Sequence, residues 1–110
     1  MTASVSRQAD LRERAEGLFP GGVNSPVRAF RSVGRPPLVL DAGSGARVLD
    51  ADGRWYVDWI GSWGPALLGH ARAEVVEAVR AAALDGFALG ATSPREVDLG
   101  ELVRAAMPSM

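Results

Sequence analysis

At 110 residues, with a formal net charge of −1, the chain is long enough for one small core and has no charge excess to draw it onto nucleic acid or an anionic membrane. Having no cysteine excludes disulfides, thiolate catalysis and cysteine-based zinc sites, and a single histidine leaves a metal site short of ligands. No apolar run nears the roughly 18 residues of a membrane span, and the polar start, where Arg7, Arg12 and Arg14 alternate with Asp10, Glu13 and Glu16, has no leader pattern; a cytoplasmic location is expected.

The first predicted element is a helix over about 6–18. Ser6 is its cap, Leu11, Ala15 and Leu18 form a narrow apolar stripe, and Pro20 to Gly22 stop it. A loop follows over 19–36. Pro20, Gly21, Gly22 and Pro26 disfavour regular structure there, because proline lacks an amide donor and glycine costs entropy to order. In that loop Ser25 offers a hydroxyl, and Arg28 offers a planar fork of donors that fits a carboxylate or phosphate. A structural ion pair for Arg28 is the competing assignment, and spacing alone does not separate the two.

The segment from about 38 to 60 predicts a three-stranded antiparallel meander. Its strands are Leu38-Val39-Leu40, Arg47-Val48-Leu49 and Trp55 to Trp59, separated by Gly43-Ser44-Gly45 and Asp52-Gly53. Trp55, Val57 and Trp59 alternate onto one face, so Trp55 and Trp59 are expected in the core. Trp63 differs. Gly61, Gly64 and Pro65 place it in a loop, 61–69, where its ring can serve as a platform for a flat ligand. His70 is expected to open the next helix in a structural hydrogen-bonding role.

Two further helices are expected, over about 73–84 and 94–106. The first is marked by Val75, Val76, Val79 and Ala83, with Gly86 as its stop; the second opens on Ser93-Pro94-Arg95-Glu96, where Glu96 is a capping residue. Between them the glycine-rich 86–92 loop has free amides but not the spacing of a nucleotide-binding loop. The expected fold class is α+β in one undivided segment.

The strings Gly21-Gly22-Val23-Asn24-Ser25-Pro26-Val27-Arg28 and Gly61-Ser62-Trp63-Gly64-Pro65, with Asp50-Ala51-Asp52-Gly53, Tyr56-Val57-Asp58 and Leu68-Gly69-His70-Ala71, resemble the amino-terminal part of the glutamate-1-semialdehyde 2,1-aminomutase family. That family belongs to the class-III aminotransferase-like, fold-type-I pyridoxal phosphate enzymes. The resemblance runs from about Leu11 onward. Departures are local: Arg72-Ala73 stands in place of His-Pro, Gly34-Arg35-Pro36 in place of Gly-Gly, and Gly90-Ala91-Thr92-Ser93 lacks the proline of Gly-Ala-Pro-Thr.

The resemblance implies a porphyrin-pathway isomerase that moves an amino group between neighbouring carbons of glutamate 1-semialdehyde to give 5-aminolevulinate. It implies Ser25 and Arg28 at the substrate carboxylate, Trp63 lining the pocket, a homodimer, and the 86–92 loop near the neighbouring subunit's cofactor. It also implies a polypeptide several times longer, with a large cofactor domain to follow. All 12 Lys+Arg residues are arginine, so no lysine here can form the Schiff base. The isolated chain is therefore expected to bind no pyridoxal phosphate and to be inactive. Another class-III aminotransferase and a free-standing interaction module stay open as alternatives; a nucleic-acid module is disfavoured by the scattered arginines.

Overall fold

The computed structural model describes residues 6–109. Contacts divide the chain into two units, Met1–Arg72 and Ala73–Met110. The first opens with helix α1, Arg7–Leu18, where the Ser6 hydroxyl accepts a hydrogen bond from the Ala9 amide at 3.2 Å. Short 3-10 turns over Pro20–Gly22, Pro26–Ala29 and Arg31–Val33 then carry the chain to the sheet. Phe30, between the last two, has a left-handed backbone at φ 54°.

The sheet is an antiparallel meander of β1 (Leu40–Ser44), β2 (Arg47–Asp50) and β3 (Trp55–Val57), in that order. Its strands differ from the sequence expectation in three places, the first being that β1 begins at Leu40 and not at Leu38. β1 runs through Gly43, which had been assigned to the turn, and the turn is instead Gly45-Ala46 with Gly45 at φ 53°. Glycine is tolerated inside this strand because the His70 ring fills the space beside it: a Cβ at position 43 would lie 2.6 Å from His70 Cγ. β3 ends at Val57, because Asp58 redirects the backbone by accepting from the amides of Ile60 (2.9 Å) and Gly61 (3.1 Å).

That early ending overturns the core assignment of Trp55 and Trp59. Trp59 lies beyond the strand and is 91% exposed, and Trp55 is 50% exposed, because no second layer within the first unit covers their face. Among the described residues Ala51 is the only buried apolar side chain, while Gln8 and Asp50 are buried polar ones.

Polar contacts take over the work of joining helix to sheet. The Gln8 amide pairs with the Val39 backbone like a strand edge: its Nε2 donates to the Val39 carbonyl (3.1 Å) and its Oε1 accepts from the Val39 amide (2.9 Å). The Gln8 backbone amide, one of the four that a helix start leaves unpaired, donates to Asp52 Oδ1 at 3.0 Å. Arg7 adds an exposed fork to Asp41 at 2.8 and 3.3 Å, worth little in water. Asp50 closes the β2–β3 turn: Oδ1 accepts from the amides of Asp52 and Arg54, both at 2.9 Å, and Oδ2 from the Tyr56 hydroxyl at 2.8 Å. The Arg54 amide bond leads the causes that hold the Asp50 carboxyl below its ordinary range, against a smaller opposing effect of burial.

In the second unit, α2 (Ala73–Ala83) ends where Gly86, at φ 95°, donates its amide to the Ala83 carbonyl. α3 (Pro94–Ala106) begins with a reciprocal cap: Ser93 Oγ accepts from the Glu96 amide at 3.4 Å, and Glu96 Oε2 accepts from the Ser93 amide at 3.3 Å. Arg95 reaches back to Asp85 at 2.6 Å.

Replacing Gln8 by Ala removes two hydrogen bonds to Val39, each worth about 0.5–1.5 kcal/mol net. Amide hydrogen exchange is expected to show faster opening at Val39, while the Glu96-capped start of α3 keeps its protection.

Candidate functional site

Between α1 and the segment entering β1 lies a hollow of about 400 Å³. Its walls are largely apolar, with Leu11, Leu18, Phe19 and Leu38 prominent, and its charged lining is Arg12, Arg14 and Arg28. No carboxylate lines it. Arg14 pairs loosely with Asp10 at 3.5 Å. Arg28 makes no side-chain hydrogen bond or ion pair among the described residues, so the structural ion pair that competed for this residue is not formed there. Arg28 is exposed, and a guanidinium beside an apolar hollow without a counter-charge is suited to receive a carboxylate, because its planar fork pairs both carboxylate oxygens in charge-assisted hydrogen bonds.

Local sequence explains how Arg28 is carried. Pro26 starts a 3-10 turn that opens with the Arg28 amide donating to the Ser25 carbonyl at 3.0 Å, and left-handed Phe30 ends it. Ser25 is half-buried in extended conformation, and its hydroxyl does not cap the turn. Ser25 and Trp63 do not line the hollow; of the three residues singled out in the sequence, Arg28 alone does. Asn24 and Arg12, which the motif reading passed over, do line it. For Arg12 the signal was its place next to Leu11, with Arg12 and Arg14 on opposite flanks of the apolar stripe of α1; for Asn24 it was simply adjacency to Ser25.

Trp63 sits on a separate, tightly tied loop. Ser62 and Trp63 both have left-handed backbones, at φ 54° and 65°, a conformation that costs a side-chain-bearing residue about 1–2 kcal/mol. The loop is closed by the Trp63 amide on the Ile60 carbonyl (3.1 Å) and by the amides of Gly64 (3.0 Å) and Ala66 (3.1 Å) on the Gly61 carbonyl. Asp58 anchors its base. Besides the Ile60 and Gly61 amides, the Asp58 carboxylate meets His70 Nε2 at 2.6 Å, which as partner of an ionised carboxylate must carry the proton. His70 in turn exchanges backbone hydrogen bonds with Gly45, at 2.8 and 2.9 Å, so it lies in an isolated bridge three residues before α2 and does not open that helix. Its expected structural hydrogen-bonding role is what the geometry shows. A second hollow, of about 350 Å³, has Asp58, Gly61, Leu67 and His70 among its walls; Trp63 does not line it. The His70 hydrogen bond, followed by the Ile60 and Gly61 amides, holds the Asp58 carboxyl below its ordinary range.

The chain matches curated relatives over nearly its whole length. It is 55% identical over 106 residues to the glutamate-1-semialdehyde 2,1-aminomutase of Dechloromonas aromatica (strain RCB), covering 96% of this chain and 25% of the relative. It is 54% identical over 110 residues to the enzyme of the same name from Syntrophus aciditrophicus (strain SB), covering all of this chain and 25% of the relative. The chain belongs to the glutamate-1-semialdehyde 2,1-aminomutase family. It spans about a quarter of the length of these aminomutases. No family model matches the chain.

Solved structures agree on the fold. An omega-transaminase from Sphaerobacter thermophilus superposes with a TM-score of 0.84 at 33% identity, covering 97% of this chain and 24% of that one. A transaminase with PLP bound superposes at 0.80 and 36%, covering 94% and 24%. A glutamate-1-semialdehyde aminomutase from Pseudomonas aeruginosa PAO1 superposes at 0.78 and 26%, covering 90% and 22%. The expected fold class is thereby confirmed: α-helices and a three-stranded antiparallel meander, as found in part of transaminase-fold enzymes.

Because the folded carboxyl of Asp58 is more acidic than an unfolded aspartate, near ~3.9, its contribution is present above that value and is lost as pH falls through the lower folded value. Carbon-detected NMR of the Asp58 carboxyl is expected to titrate below the ordinary range, with the Ile60 and Gly61 amides losing exchange protection over the same interval.

Proposed function

We propose that this chain contributes the substrate-carboxylate side of the active site in an aminomutase that converts glutamate 1-semialdehyde to 5-aminolevulinate, within a complete polypeptide of which it is the amino-terminal part. The observation that carries the proposal is the unpaired Arg28 guanidinium on an apolar hollow that no carboxylate lines. Arg28 grips the acid end of the substrate in two parallel hydrogen bonds. The Ser25 hydroxyl adds a third donor to that carboxylate, and the Trp63 ring forms a wall against the substrate's flat reacting portion. In this reading the working enzyme is a cytoplasmic homodimer, and the 86–92 loop lies towards the neighbouring subunit.

The relatives' fold implies pyridoxal phosphate, and the residues of this chain do not by themselves fit it. There is no lysine to bind its aldehyde, and the hollow lined by Asp58 and His70 has neither lysine nor arginine in its walls to meet its phosphate. The cofactor's electron-sink chemistry therefore belongs to residues outside these 110, and this chain's part is to bind and orient the substrate and to exclude water from it. The 110 residues alone carry no activity.

Likeness to transaminases, including the Sphaerobacter thermophilus structure, supports a second reading in which the amino group passes between two molecules. Product analysis on the complete enzyme separates them. Conversion of glutamate 1-semialdehyde to 5-aminolevulinate without a keto-acid partner is the expected result; a strict need for such a partner would favour the transaminase. In the same enzyme Arg28→Ala is expected to raise KM for the substrate by about 10–100-fold, the loss of one or two charge-assisted hydrogen bonds, with Arg28→Lys intermediate. An unaltered KM in the alanine variant would remove the role assigned to Arg28.

A further inference from the structure

We infer that Asp58, backed by His70, is the positioning residue that fixes Trp63 in its left-handed turn and so sets the shape of the substrate pocket's aromatic wall. The inference rests on the substrate role proposed above for Trp63, and its structural half stands independently of that role.

The chain of contacts is continuous. Ile60 and Gly61 are the two residues whose carbonyls close the loop, accepting from Trp63, Gly64 and Ala66, and they are also the two whose amides are held by Asp58. Asp58 therefore holds the 60–61 peptide plane, whose carbonyl accepts from the Trp63 amide, together with the 59–60 plane before it; the 61–62 plane, whose carbonyl accepts from Gly64 and Ala66, follows directly from the one it fixes. The carboxylate cannot swing away, because its other oxygen is held by His70 at 2.6 Å and its own backbone amide donates to the Ala46 carbonyl at 2.9 Å. His70 is fixed from behind by its paired backbone hydrogen bonds with Gly45 and by close packing of its ring over Gly43. The Trp63 loop is thus referenced to the β1–β2 turn.

Strain makes such an anchor necessary. Neither Ser62 nor Trp63 adopts a left-handed backbone by preference, and with Trp63 74% exposed, packing within this unit does not impose it. Without Asp58 the two peptide planes are free to rotate, the residues relax to ordinary backbone angles, and the indole moves off its mark. Small displacements of a positioning wall cost binding and orientation even where no reacting atom is touched.

The test uses the complete gene product labelled with 5-fluorotryptophan, its 19F resonances assigned by single Trp→Phe variants. Asp58→Ala is expected to shift or broaden the Trp63 resonance while leaving that of Trp55 in place. It is also expected to raise KM about tenfold with a much smaller change in kcat, and Asp58→Asn, which keeps an acceptor for both amides, is expected to recover most of both readouts. In Asp58→Ala combined with Trp63→Ala, the KM penalty should be no larger than that of Trp63→Ala alone, because the two changes disable one element. A sharp, unmoved Trp63 resonance in Asp58→Ala, or penalties that simply multiply, would overturn the inference. If Trp63→Ala leaves KM unchanged while Asp58→Ala still displaces the Trp63 resonance, the substrate role of Trp63 fails and its positioning by Asp58 stands. Should Asp58→Ala not fold, His70→Gln, which leaves Asp58 in place, carries the same readouts and the same criteria, with effects in the same direction and smaller.

Discussion

A carboxylate accepting backbone N–H groups is the interaction on which the first unit depends. Asp50, Asp52 and Asp58 each do this, at the β2–β3 turn, at the start of α1 and at the base of the Trp63 loop. An ionised acceptor binds amides more strongly than a neutral one, and each of these carboxylates satisfies donors that the secondary structure leaves open. Such ties matter more here than in most small folds, because Ala51 is the only apolar side chain buried among the described residues. Direction therefore comes from hydrogen bonds, and the apolar surface stays available for what lies outside this chain.

Features governed by a few consecutive residues were legible in the sequence. Ser6 caps α1, Ser93 and Glu96 form the reciprocal cap of α3, and Asp52-Gly53 makes the tight turn into β3, each because the relevant partner lies within four residues. Features set by distant partners were not. Nothing local marks Gln8 as the partner of Val39, 31 residues away, or gives Gly43 to a strand interior, since the ring that makes glycine suitable there belongs to His70. Trp59 was misassigned for a related reason. Alternation along a strand predicts a face, but the strand had already been ended by the side chain of Asp58.

The candidate site was legible in part. Arg28 stood out by its chemistry in a proline- and glycine-punctuated loop, and it does line the apolar hollow without a side-chain partner among the described residues. Ser25 and Trp63 stood out by motif, and their placement beside the same ligand is part of the proposal alone. Exposed Trp55, Trp59 and Trp63 suit both a segment of a larger enzyme and an interaction module. Family membership, with a span of about a quarter of the aminomutases' length, favours the first.

The reach of the Gln8 contacts has a kinetic consequence. Both hairpins of the meander close over very short separations and can form in microseconds. By contrast, docking of α1 waits for Val39 and Asp52, across 31 and 44 residues, and each must already be held in its strand or turn before a helix amide can find it. Synthesis from the amino terminus releases the helix first and its receptors later. The helix thus leaves the ribosome before its receptors and settles after them, spending that interval as a lone helix of 12 residues, too short to persist in water unaided.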